Sequence, residues 1–123
     1  RYEDFARSYR LPAVLCQGRQ RLVLTSVGQA ASAAEFLHQQ LNDAGIVLQD
    51  VRVVAMDLPR GGLFRVWAEQ RNMNMDRQVV DGAMALHHCC VTDHGFVIEA
   101  SQYTTCALPG YWSQARELLA RSS

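Results

Sequence analysis

The chain has 123 residues, of which 49% are hydrophobic and 20% are charged, and its 12 acidic residues balance its 12 basic ones. This size and composition fit one globular domain that needs no disulfide or metal to fold, and they exclude a disordered chain. A net charge of zero gives no basic surface for nucleic acid or for an anionic membrane. No apolar run of 18 residues predicts a membrane span. We therefore expect a single domain over residues 1–123, with no nucleic-acid or membrane partner.

The cysteines and basic residues indicate the cellular compartment and the type of source genome. Cys89 and Cys90 are adjacent, and Cys16 and Cys106 are isolated from them and from each other. Adjacent residues of a strand point to opposite faces, so Cys89 and Cys90 are not placed to share a metal or to bridge. This predicts reduced cysteines, a cytoplasmic protein and no metal site. All 12 basic residues are Arg, which is typical of the coding bias of a GC-rich bacterial genome.

The first part of the chain predicts a helix followed by a hairpin. Apolar residues at helical spacing over residues 2–9 predict the last turns of a helix, which ends before Pro12 because the residue preceding a proline is driven out of the α region. Residues 13–16 predict a short strand. A tight turn at Gly18 then leads into Gln20–Leu24 as the hairpin partner.

A second helix follows with clear boundaries. Ser26, with Gln29 three residues later, forms a capping box that begins the helix. Apolar residues recur on one stripe from Val27 to Leu41, and Gly45 ends the helix at the position where a left-handed residue is favoured.

The remainder predicts a four-stranded meander and a final helix. The strands are expected at residues 47–58, 63–72, 78–91 and 96–106, and the helix is expected to begin at Pro109. Short turns join the strands, so neighbours in the chain should pair antiparallel. Strands this long must twist and coil, which gives the sheet a concave face for the amphipathic helix to fill.

This order of elements resembles the NTF2-like superfamily of α+β cone folds, which includes ketosteroid isomerases, SnoaL-type polyketide cyclases and scytalone dehydratase. The resemblance is carried by the helical stub 2–9, the segment 11–15, the hairpin 18–24, the helix that opens at Leu24-Thr25-Ser26, and the meander. It covers nearly the whole chain and rests on architecture, since no catalytic signature is present. It implies helices packed in the concave face of a strongly curved, mostly antiparallel sheet.

Two departures from the superfamily pattern stand out. Only the last turns of the usual lid helix are visible, and the chain starts at Arg1 without Met, so we expect the N-terminal helix to be truncated. The segment from Pro109 onward is an addition that either covers the mouth of the cone or builds an oligomer interface.

The resemblance implies two functions, and the sequence leaves the choice open. In the first, a small apolar molecule occupies a pocket between the helix and the sheet, where the protein acts, if it is an enzyme, as an isomerase, cyclase or dehydratase by proton transfer without a cofactor. In the second, the cone is filled by its own side chains and the protein is a non-catalytic dimeric interaction module. An open cavity above about 300 Å³ with convergent polar groups would favour the first.

The candidate catalytic residues are Asp81, His87, His88 and Tyr103, which fall on the last two predicted strands. A two- or four-residue loop between these strands places His87 opposite Ala100 and puts His87 and Asp81 on the face away from Tyr103. A bulge reverses that relation, so the sequence leaves open which histidine faces the cone.

The roles of these residues follow from their chemistry. An imidazole titrates near neutrality and suits general acid–base work. In isomerases of the superfamily, a buried carboxylate moves a proton while a Tyr donates a hydrogen bond to the oxyanion, which Asp81 and Tyr103 would match. The plain alternative is one core histidine, one surface histidine, and a Glu99 that pairs with Arg65 or Arg71 on the outer face.

Two further sets of residues are predicted from the strand alternation. The expected ligand-binding residues are large and apolar: Leu37, Leu41, Phe64, Val66 and Met84. Trp67 lies among charged residues on the other face of its strand, a composition common at interfaces. We therefore expect a homodimer through an outer sheet face that includes Arg65, Trp67 and Glu69.

Overall fold

The structure is a computed structural model that describes residues 2–104, 108 and 110–122. Its elements are α1 (Tyr2–Ala6), β1 (Tyr9–Gln17), β2 (Gln20–Leu24), α2 (Val27–Asp43), β3 (Leu48–Met56), β4 (Leu63–Met73), β5 (Val79–Thr92), β6 (Gly95–Tyr103) and α3 (Tyr111–Ser122). The strands form one open sheet in the order β2-β1-β6-β5-β4-β3. Only the β1–β6 pair is parallel. The expected α+β class, mostly antiparallel sheet and four-strand meander are confirmed.

The boundaries of α2 follow the predicted signals closely. Ser26 is the N-cap, and its hydroxyl accepts a hydrogen bond from the backbone N–H of Gln29 at 3.1 Å. The side chain of Gln29 reaches back to the N–H of Thr25 at 3.0 Å. Gly45 has φ = +83°, a conformation that L side chains rarely adopt, so a glycine ends the helix as expected.

The prediction of a helix over residues 2–9 is wrong in its second half. The helix ends at Ala6, and Tyr9 already belongs to β1, which takes in Pro12 and continues to Gln17. Tyr9 is aligned with Ile98 of β6, and the N–H of Ile98 donates to the carbonyl of Ser8 at 2.7 Å. A parallel partner more than eighty residues away therefore decides the conformation that local spacing assigned to a helix.

The C-terminal helix belongs to the core. Ala115 and Leu119 of α3 are buried together with Leu22 and Leu24 of β2, in a cluster to which α1 and α2 also contribute. α3 therefore packs onto the cone, and its use as an oligomer interface stays a prediction. The predicted start of this helix, Pro109, and the predicted end of the last strand, Cys106, lie outside the described residues.

The helices cover only part of the sheet. α2 and α3 pack against β2 and against each other, while β3 projects beyond them at the sheet edge. Val53 and Met56 of β3 are 58% and 63% exposed. Between α2 and the middle strands the curved sheet leaves a hollow. No helix of the described residues is long and apolar enough to cross a membrane.

Candidate functional site

Two adjoining cavities occupy the hollow between α2 and the concave face of the sheet. The larger has a volume of about 380 Å³, and the smaller about 280 Å³. Their shared walls are formed by Phe5, Tyr9, Leu15, Leu37, Leu41, Gln49, Tyr103 and Tyr111. The cone is therefore open rather than filled by its own side chains.

A bulge in β6 sets which side chains of β5 and β6 face these cavities. The turn is a two-residue loop with Thr92 aligned with Gly95, and Cys89 lies opposite Ile98 as that loop requires. The register then shifts by one residue, so that His88 is opposite Ala100. The alignment of His87 with Ala100 is therefore wrong, because Glu99 is the extra residue of the bulge.

The shift brings His87 and Tyr103 to the same face. His87 lies opposite Ser101, and its ring stands edge-on to that of Tyr103 with centroids 6.3 Å apart. His87, Tyr103 and Asp81 all line the smaller cavity. His88 is opposite Arg65 and lies on the other face of the sheet. His87 is thus the histidine of the pair that faces the cone.

A cluster of hydroxyls and one imidazole forms the inner wall. Ser101 is fully buried, and its Oγ is 2.7 Å from Nδ1 of His87. The hydroxyls of Tyr9, Tyr103 and Ser101 lie close enough to one another to influence the pKa of both tyrosines. Burial raises the pKa of both tyrosines above the ordinary value of a phenol. Both therefore remain protonated hydrogen-bond donors at neutral pH.

The electrostatics of the cluster favour a neutral His87. Burial, and secondarily the charge of His88, lowers the pKa of His87 below the ordinary value of an imidazole. In the tautomer in which Nδ1–H of His87 donates to Ser101, the second ring nitrogen, Nε2, is available to accept a proton. The wall therefore presents hydrogen-bond donors and a proton acceptor side by side.

A second polar group lies further along β5, at the other side of the smaller cavity. The side-chain amide of Asn72 donates to Oδ1 of Asp81 at 2.7 Å, and the amide of Gln49 donates to Oδ1 of Asn72 at 3.0 Å. These residues stand on three adjacent strands, β3, β4 and β5, and all line this cavity. The chain of amides fixes the orientation of the Asp81 carboxylate.

Only two of the five predicted ligand-binding residues line the two cavities. Leu37 and Leu41 of α2 line both cavities. Phe64 is buried near the turn end of β4 beside a separate, open depression, and Val66 shares the concave face without lining either cavity. Met84 is opposite Glu69 and alternates with the cavity residues, so it lies on the outer face.

The ion pairs of the structure test the predicted partner of Glu99. Glu99 lies 3.9 Å from Arg10, whereas Arg65 and Arg71 pair with Asp57 and Asp50. The pairing of Glu99 with Arg65 or Arg71 is therefore wrong, because both arginines pair with aspartates of β3 and the turn that follows it. Among the described residues, no group of three or more His, Cys, Asp or Glu side chains is arranged to hold a metal ion.

Sequence reasoning missed Tyr9, Gln49, Asn72 and Trp112 as parts of the site. Tyr9 was assigned to a helix, and Gln49 and Asn72 come together only through the β3–β4 register. Trp112 lines the smaller cavity from α3. The one signal in the sequence was the alternation of β4, which places Asn72 on the same face as the apolar residues of that strand.

Comparison with known proteins identifies the fold. No family model matches the chain, and no curated protein does. A protein of unknown function from Mycobacterium tuberculosis is 7% identical, with a TM-score of 0.68 over 96% of this chain and 78% of that one. An NTF-2 like protein of unknown function from Shewanella oneidensis MR-1 is 8% identical, with a TM-score of 0.63 over 85% and 83% of the two chains.

The chain has an NTF2-like fold. A further structure with the same arrangement, from Catenulispora acidiphila, is in complex with S-DNPA; it is 9% identical, with a TM-score of 0.60 over 84% of this chain and 77% of that one. At these identities the likeness extends to the fold alone, so the function of this NTF2-like chain must be argued from its own cavity.

Proposed function

We propose that this NTF2-like chain binds a small, largely apolar molecule in the cavity and moves a proton on it without a cofactor, as an isomerase, cyclase or dehydratase does. The observation that carries the proposal is the buried cluster of Tyr9, Tyr103, Ser101 and His87 at the wall of an open cavity. We place this activity in the cytoplasm, because Cys16, Cys89 and Cys90 are free thiols.

The tyrosines would stabilise the negative charge that develops on a ligand carbonyl oxygen. Tyr9 is 8% exposed, and the ring of Tyr103 packs against that of Trp112, so packing holds both donors in place before the ligand arrives. Donors fixed in a dry site stabilise a developing oxyanion far more than water does, and removing one typically costs about 10²–10³ in turnover. This is the part of the reaction for which the cluster is best suited.

His87 would act as the base. Its neutral imidazole takes the proton from the carbon next to the carbonyl, and the electron pair of the broken C–H bond moves onto the carbonyl oxygen beside Tyr103. The imidazolium then returns the proton to another atom of the ligand. Asp81 is six residues away along β5, about 20 Å of strand, so it does not serve the same proton.

Turnover of enolisable ketones tests the catalytic step. We expect a panel of small enolisable ketones to include one whose isomerisation or α-hydrogen exchange is catalysed by the wild type. Tyr103→Phe should reduce its kcat by about 10²–10³, and His87→Ala by about 10²–10⁴, as followed by deuterium exchange in NMR spectra. His88→Ala should keep most of the turnover because that side chain lies on the outer face.

Two results of this panel would count against the mechanism. An equal loss in His88→Ala would show that position relative to the cavity does not matter. Saturable binding without turnover of any ketone would leave a binding protein and remove the catalytic role of His87.

We also propose that the chain forms a homodimer through the outer sheet face that includes Arg65, Trp67 and Glu69. The guanidinium of Arg65 lies 4.9 Å from the centre of the Trp67 ring, and Glu69 pairs with Arg52 at 3.2 Å. An aromatic residue framed by ordered charges suits a partly polar interface. The exposed Val53, by contrast, lies on the concave face beside Ala68.

Sedimentation of matched variants tests the interface. The wild type should sediment as a dimer at micromolar concentration, and Trp67→Glu should sediment as a monomer because it would bury an unpaired charge between the protomers. Val53→Glu introduces the same side chain on the other face and should remain dimeric. A monomeric wild type, or dissociation by Val53→Glu alone, would contradict the proposed face.

A further inference from the structure

We propose that the ligand of this cavity is an organic amine, with its ammonium group on Asp81 and its apolar body against the aromatic wall. The proposal deepens the proposed function and rests on it in one respect only, namely that a small molecule occupies this cavity. It concerns the chemical class of that molecule, and it does not depend on the catalytic role of His87.

The charges that line the two cavities carry the inference. Among the described lining residues, Asp81 is the only acidic side chain, and no arginine is present. The two lining histidines are His38 and His87, and burial keeps the latter neutral. A hollow with one carboxylate, and without arginine or lysine among its described lining residues, attracts a cation and repels an anion.

The Asp81 carboxylate is already oriented for a ligand. Asn72 occupies Oδ1 at 2.7 Å, and within the described part of the chain no group donates a hydrogen bond to Oδ2. Asn72 is itself held by Gln49 at 3.0 Å. A carboxylate with one oxygen fixed and the other exposed to a cavity offers a charge-assisted hydrogen bond to an ammonium group, which is stronger than a bond between neutral groups.

Aromatic rings complete a site for a cation with an apolar body. Tyr9, Tyr103, Tyr111 and Trp112 all line the smaller cavity. The ring of Trp112 contacts that of Tyr111 at 5.8 Å and that of Tyr103 at 6.4 Å between centroids. Aromatic faces attract organic cations and also exclude water from an apolar body. The combination of rings and a single carboxylate therefore selects amines over neutral or acidic molecules of the same shape.

Three probes of similar size and shape test this preference. The experiment titrates 2-phenylethylamine, 2-phenylethanol and phenylacetate into the Trp67→Phe protein, in which Trp112 is the sole tryptophan and reports on the cavity by fluorescence. At pH 8 imidazoles are neutral while alkylamines remain charged. We expect the amine to bind at least about tenfold more tightly than the alcohol, and phenylacetate to bind most weakly.

Two variants that each remove a carboxylate test whether Asp81 causes the preference for the amine. Asp81→Asn in the same background should reduce the affinity for the amine to that for the alcohol. Glu99→Gln removes a carboxylate from the neighbouring strand outside the two cavities and should keep the amine preference. If the alcohol binds as tightly as the amine, or if Asp81→Asn keeps the preference, the inference is overturned while the cavity remains a ligand site. If no probe gives saturable binding, both the inference and the proposed function fail.

Discussion

Trp112→Ala is expected to lower the free energy of unfolding by about 3–5 kcal/mol. Trp112 is 4% exposed and packs against Tyr111 and Tyr103, and its indole N–H donates to Oε1 of Gln17 at 2.9 Å. The substitution removes a large buried ring, leaves a cavity behind it and deprives Gln17 of its donor. Because Trp112 belongs to α3, the loss of unfolding free energy measures how much the packing of this helix stabilises the fold.

Urea unfolding of paired tryptophan variants gives the measurement. Trp67→Ala makes the same change on the outer sheet face, where the ring is only partly buried, and should cost less than half as much. A loss below about 0.5 kcal/mol in Trp112→Ala, within the range of ordinary surface substitutions, would show that α3 is not part of the core.

The elements with strong local signals could be predicted from the sequence. The capping box at Ser26 and the glycine at position 45 fix the ends of α2, and both are local hydrogen-bonding or backbone effects. The meander is also local, because its short turns leave neighbouring strands no alternative partner. The boundaries of α2 and the order of the meander strands therefore follow from residues that are close together in the chain.

Long-range pairing could not be predicted in the same way. Tyr9 has helical spacing with its neighbours, yet the parallel partner Ile98 draws it into β1. The bulge at Glu99 has no signature in the residues around it, and a shift of one residue exchanges the faces of a strand. His87 and Tyr103 were each proposed from the sequence, but only the bulge places them together.

The cavity itself depends on side chains from distant segments. Asp81 was singled out as a mid-strand carboxylate, whereas its amide partners Asn72 and Gln49 required the registers of two strand pairs. Trp112 of α3 lines the smaller cavity. The sequence did not decide whether this helix covers the cone or forms an oligomer interface. Composition and spacing indicate the chemistry that a side chain can perform, and the strand register determines which other side chains lie beside it.

Ala83→Phe is expected to abolish ligand binding while the protein stays folded. Ala83 lies on the concave face of β5 between Asp81 and Ala85, and its methyl group lines the smaller cavity. A phenyl ring there occupies the space between the carboxylate and the Tyr103 cluster, and phenylalanine is favoured in strands. Val23→Phe places the same ring on an exposed position of β2, away from both cavities, and is the matched control.

Calorimetric titration of 2-phenylethylamine into the wild type, Ala83→Phe and Val23→Phe tests most directly whether this cavity is the ligand site. The cavity account predicts saturable binding of one molecule per chain to the wild type and to Val23→Phe, and no measurable binding to folded Ala83→Phe. Undiminished binding to Ala83→Phe, or no saturable binding to the wild type, would contradict it.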